Sequence, residues 1–117
     1  MGLPRPDPAV MLVLTNVPDE ASADLIERTL LVEHLVACVN RLAEVSSRYH
    51  WQGAVQEARE IPLLLKTSAE RLDELERRLG ELHPYDVPEI IAWHPARVSP
   101  AYANWVAQCC ARRPGLV

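Results

Sequence analysis

Seven consecutive residues, His83-Pro84-Tyr85-Asp86-Val87-Pro88-Glu89, set an imidazole, a phenol and two carboxylates around two prolines. Imidazole is both a proton acceptor near neutral pH and a metal ligand, and carboxylates add hard oxygen donors. Pro84 fixes its own φ and pushes His83 out of helical geometry, so a helix arriving from Leu72 to Leu82 is expected to stop there. On a purely structural reading, this is a helix stop with a histidine at the negative end of the dipole. On a functional reading, the two prolines lower the entropy of a loop that presents His83, Tyr85 and Glu89 with little reorganisation on binding. Further ligand types are the thiol of Cys38 and the carboxylates of Glu57 and Glu60. The two glutamates are three apart on an extended segment, so they point to opposite faces unless a bulge intervenes. Cys38, inside Leu35-Val36-Ala37-Cys38-Val39, also fits a small buried apolar residue. His34, His50 and His94 read as helix-end, hairpin-tip and loop residues.

The elements that must position these groups follow from the pattern of apolar residues. Residues 9 to 14 form a continuous apolar run that reads as a central strand covered on both faces. Pro18-Asp19-Glu20 breaks it and offers an N-cap for a helix with Leu25, Ile26, Thr29 and Leu30 at helical spacing, ending near His34. From Val36 the pattern becomes extended. Val45, Ser47, Tyr49 and Trp51 share one side, and Gln52-Gly53 makes the turn into a strand running from Val55 to Lys66. At about 3.3 Å per residue, Val36 to Trp51 would reach roughly 50 Å, against a radius of gyration near 13 Å for a chain this size. A bend around Arg41 to Glu44 would still leave Tyr49 and Trp51 beyond the core, so self-association is expected from geometry. Pro62 has no N–H to donate and marks a bulge or unpaired edge. Thr67-Ser68-Ala69-Glu70 has capping-box spacing before the stripe Leu72, Leu75, Leu79 and Leu82. Val87 to Trp93 reads as the last strand. Ser99-Pro100 then starts a helix with Tyr102, Trp105 or Val106, and Cys109 on one side. The order β-α-β-β-α-β-α is that of an α+β, ferredoxin-like split βαβ unit with an added helix.

Size and charge bound the function. The 117 residues, 49% hydrophobic, suffice for one domain with one core. The expected division is a flexible segment over 1–8, a single domain over 9–111 and a tail over 112–117. With 16 acidic against 12 basic residues and no basic cluster beyond Arg77-Arg78 or Arg112-Arg113, there is no footprint for nucleic acid. The apolar runs are too short for membrane insertion, and Met1 to Pro8 lacks the apolar core of a secretory signal. Three cysteines without a zinc or redox spacing suggest a reducing, cytoplasmic setting.

Leu35-Val36-Ala37-Cys38-Val39-Asn40, Ser47-x-Tyr49-x-Trp51-x-Gly53, Glu60 with Leu65-Lys66-Thr67, the His83 to Glu89 loop, and Tyr102-x-x-Trp105 together resemble the CutA family of divalent-cation tolerance proteins. The resemblance implies a ferredoxin-like subunit, a homotrimer paired through the long hairpin strands, and a response to copper or other divalent cations. It also implies similarity to the PII signal-transduction proteins, whose ligands bind between subunits. By position, Tyr49, Trp51, Lys66, His83, Tyr85 and Glu89 match the family's intersubunit cleft. His83 and Cys38 are the metal candidates. In copper-binding members a thiol ends the first strand and two histidines precede Pro-Tyr, whereas here Thr15 and Leu82 stand in two of those places. The alternative function is a PII-like trimeric signalling protein in which Lys66 and His83 meet a small anionic ligand and Tyr49 or Trp51 stacks on it. No activated nucleophile pairing is visible around Lys66, His83 and Glu89, so the chain is not read as an enzyme.

Overall fold

The computed structural model describes residues 9–112. The expected segment 1–8 and nearly all of the expected tail 112–117 lie outside the described residues. The elements are β1 (Val10–Val17), α1 (Glu20–Val32), β2 (Cys38–Arg41), β3 (Val45–Trp51), β4 (Ala54–Ser68), a 3-10 turn (Ala69–Arg71), α2 (Leu72–Leu82), β5 (Ile91–Trp93) and α3 (Pro100–Cys110). This is a mixed α+β fold on an antiparallel sheet of order β2-β4-β1-β5, with β3 paired to the distal half of β4.

The core lies on one face of the sheet. Val13, Val17, Leu63 and Leu65 pack against Ala23, Ile26 and Leu30 of α1 and Leu75 and Leu79 of α2, all of them fully buried. A second cluster joins Ala103, Val106 and Cys110 of α3 to Val10, with Ala37, Val98 and Tyr102 packed around it. Burial along β1 alternates, so the apolar run is not covered on both faces within one chain. Leu12, Leu14 and Leu64 are only half-buried, and Ile91 and Trp93 stay exposed. A continuous run and an alternating one look alike when both faces carry leucine and valine.

Three further expectations change. Leu25 points to solvent rather than into the α1 stripe, and on α3 Val106 with Ala103 and Cys110 forms the buried stripe while Trp105 is exposed. The last strand is only Ile91–Trp93, because the segment before it holds Pro84 and Pro88 and bonds to β1 through side chains instead of a ladder. The Thr67 to Glu70 capping box does not form: Ser68 makes no side-chain cap bond, Thr67 donates to Leu35 O at 2.7 Å, and a 3-10 turn leads into α2. By contrast, Asp19 caps α1 as expected, accepting from Ser22 N at 2.8 Å.

The long extended stretch is broken in two. Arg41 lies opposite Leu63 and Val45 opposite Glu60, so three residues on one side, Leu42 to Glu44, face two on the other, Ile61 and Pro62. Pro62, without an N–H, sits at that gap, and its carbonyl accepts from Leu42 N at 2.9 Å. Beyond the gap, β3 and the first half of β4 form a two-stranded arm closed by Gln52 and Gly53, both at positive φ (49° and 80°) as a tight hairpin turn requires. The arm stretches the molecule to 60 × 33 × 23 Å with a radius of gyration of 16.1 Å.

Candidate functional site

Helix α2 ends at Leu82, and His83 leaves it with extended φ and ψ, as the following proline demands. The turn carries the imidazole under the end of β1. His83 is 7% exposed, its Nε2 lies 2.9 Å from Asn16 O, and its Nδ1 accepts the Tyr85 N–H at 3.2 Å. An N–H can bond Nδ1 only if that nitrogen is unprotonated, so the ring is the neutral tautomer with Nε2–H donating to Asn16. Burial pushes its pKa below the ordinary value, against the opposing effects of the Asn16 carbonyl and the Glu60 charge.

The Tyr85 ring lies 5.0 Å from the His83 ring, and its hydroxyl donates to Glu60 Oε2 at 2.9 Å. Burial, with that bond to Glu60 next, raises the Tyr85 pKa well above the ordinary phenol value, so it remains a donor. Asn16 Nδ2 donates to Glu89 Oε2 at 3.1 Å. The last residues of β1, the loop after α2 and the base of the arm are thereby tied into one network.

A groove of about 790 Å³ runs from this network along the arm. Its aromatic walls are Tyr49, Trp51 and Tyr85, and its carboxylates are Glu60, Asp86 and Glu89. Asn16, Ser47 and Arg48 also line it, with His50, Pro84 and Val87. Tyr49 and Trp51 occupy the same face of the arm as Glu60, opposite Gln56 and Ala54 in the ladder. Glu57 lies on the reverse face with Arg48 and Ser46, so the two glutamates do diverge.

Four of the six expected cleft residues, Tyr49, Trp51, Tyr85 and Glu89, therefore line one groove, and His83 braces it from beneath. Within one chain Lys66 does not join them. It pairs with Cys38 across the ladder and donates to Asn40 Oδ1, four residues or roughly 13 Å along β4 from Pro62, the partner of Asn16. The metal candidates His83 and Cys38 are accordingly far apart in one subunit. Both His83 nitrogens are engaged, and among the described residues no three of His, Cys, Asp and Glu gather closely enough to hold an ion. Within a single chain these residues do not fit a metal centre. Thr15, at the thiol position, is fully buried on the helix-covered face with its hydroxyl unpartnered. Asn16 was not legible as a site residue beforehand; the only signal was a polar side chain ending an apolar strand.

The comparisons with known proteins agree on one family. A family model described as CutA1 divalent ion tolerance protein matches residues 11–109. Proteins named divalent-cation tolerance protein CutA from Pyrococcus horikoshii and Thermus thermophilus are 40% and 41% identical over 99 and 97 residues, covering 85% and 83% of this chain and 96% and 94% of theirs. The crystal structure of CutA from Xylella fastidiosa superposes with a TM-score of 0.85 at 39% identity, over 88% of this chain and 99% of that one. The chain belongs to the CutA divalent-cation tolerance family.

Proposed function

We propose that the chain acts as a homotrimer of ferredoxin-like subunits that responds to copper or another divalent cation, with the groove beside His83-Pro84-Tyr85 as its ligand cleft. The observation that carries this reading is the arm. Nearly every residue from Leu42 to Arg59 is exposed, and Tyr49 and Trp51 stand 42% exposed on one of its faces. A lone two-stranded ribbon is marginal in water, and a neighbour's surface would stabilise it. The half-covered leucines of the sheet's second face call for the same kind of partner.

Three carboxylates against one arginine give the groove a negative balance, which favours a cation over an anion. That supports the divalent-cation reading above PII-like sensing of an anionic ligand, for which Lys66 would be needed in the cleft. Among the described residues one subunit does not assemble a set of metal ligands, so on this reading those for an ion come from more than one subunit. The reading assigns no catalytic step. The cysteines are free, which fits a cytoplasmic location.

Sedimentation equilibrium at micromolar concentration is expected to give three times the chain mass. Copper titration is expected to change the tryptophan fluorescence of that species. A monomer mass would remove the trimer, and an unchanged spectrum with no heat of binding would remove the metal response.

A further inference from the structure

Glu60 is the least ordinary group in the groove. It is 8% exposed, one carboxylate oxygen accepts from Tyr85, and among the described residues no Lys, Arg or His forms an ion pair with it. His83, in the same network, is neutral because burial lowers its pKa and its Nδ1 accepts the Tyr85 N–H. A carboxylate removed from water without a counter-charge is costly unless a cation meets it. Asp86 and Glu89 line the same groove on the loop, and Tyr49, Trp51 and Tyr85 present aromatic surface between the acids. Carboxylates spread in this way do not converge on one small ion. They match a ligand whose positive charges are themselves spread out.

We infer that the groove takes a linear aliphatic polyamine, with one ammonium group on Glu60, a second toward Asp86 and Glu89, and the methylene chain against the aromatic rings. The chemistry is complementary at each point. An ammonium offers three donors to carboxylate oxygens, and cations sit favourably over the faces of Trp and Tyr. Methylenes gain from apolar contact that a hydrated metal ion cannot use. The volume falls within the usual range of small-molecule sites. This inference deepens the proposed function and rests on its reading of the groove as the ligand site.

The test is calorimetric titration of the full chain with spermidine, choline and copper in separate runs, alongside sedimentation of the same samples. Spermidine is expected to bind saturably, more tightly than choline, and less tightly as ionic strength rises. Glu60→Gln keeps an acceptor for Tyr85 but removes the charge, and is expected to weaken spermidine about ten- to a hundredfold. Asp86→Asn changes an exposed loop residue and is expected to weaken it several-fold, so the inference stays testable if the first variant misfolds. No saturable spermidine binding, tighter choline binding, or unchanged affinity in the folded variants would overturn it. Spermidine binding without a copper response would remove the metal reading and leave the inference standing. Copper binding without spermidine binding would do the reverse.

Discussion

His83 illustrates how neighbours decide a side chain's role. Both ring nitrogens are committed within the chain, one as acceptor and one as donor, and the ring is neutral and buried. Its folded pKa lies below the ordinary 6.5, chiefly through desolvation. The unfolded chain therefore binds more protons between the lowered value and 6.5, and stability rises with pH through that window. The contribution is complete above the unfolded pKa and is lost as pH falls through the folded one. Thermal stability should drop as pH falls through about 6.5 and on below it, and more steeply in the wild type than in His83→Gln. Melting curves at constant ionic strength check this, and parallel slopes would mean that His83 does not titrate on unfolding. Thr15 marks the opposite case, a buried hydroxyl with nothing to bond. Neither fact was visible in the sequence, because each depends on which face of β1 meets the helices.

At the scale of elements, the two helix starts that looked alike behave differently. Asp19 accepts the Ser22 N–H, whereas Ser68 bonds nothing at its helix end because the chain first makes a 3-10 turn. Asp19→Ala should cost about 1 kcal/mol, while Ser68→Ala should change stability by less than about 0.5 kcal/mol. Urea denaturation of both variants measures the difference, and equal losses would refute the assignment of caps. Helices and strands were largely legible because Leu75, Leu79, Ile26 and Leu30 keep helical spacing and Tyr49 and Trp51 keep strand alternation. Their limits were less so. Pro88 and the side-chain bonds of the loop shortened the last strand to Ile91–Trp93, and Thr67 was drawn to Leu35 O rather than to a cap. In the site, Tyr49, Trp51, Tyr85 and Glu89 line one groove within a single chain, whereas their positions matched a cleft between subunits. The place of Lys66 followed from the ladder register, which pattern alone does not fix.

For the whole molecule, folding and association should be one process. The sheet's second face and the arm both leave apolar surface open in the single chain, and burying it between copies adds a term that depends on concentration. The melting temperature is expected to rise when protein concentration is raised a hundredfold. Scanning calorimetry across that range checks the coupling, and a constant midpoint with no change in mass would contradict it.

The arm also has unequal sides. β4 runs unbroken for 15 residues from the turn to the centre of the sheet, where it is bonded to β1, while the opposite side is interrupted at Leu42 to Glu44. It resembles a track with one continuous rail and one jointed rail. Such a ribbon is stiff along the continuous rail and yields at the joint, so its tip can swing chiefly by opening or closing the gap beside Pro62. The groove residues Tyr49 and Trp51 ride on the jointed rail, and Glu60 sits on the continuous one. Glu60 pairs with Val45 on the arm's side of the joint, so bending there moves Tyr49, Trp51 and Glu60 together against Tyr85, Asp86 and Glu89 of the loop, and the width of the cleft is set at the joint rather than by the groups that line it.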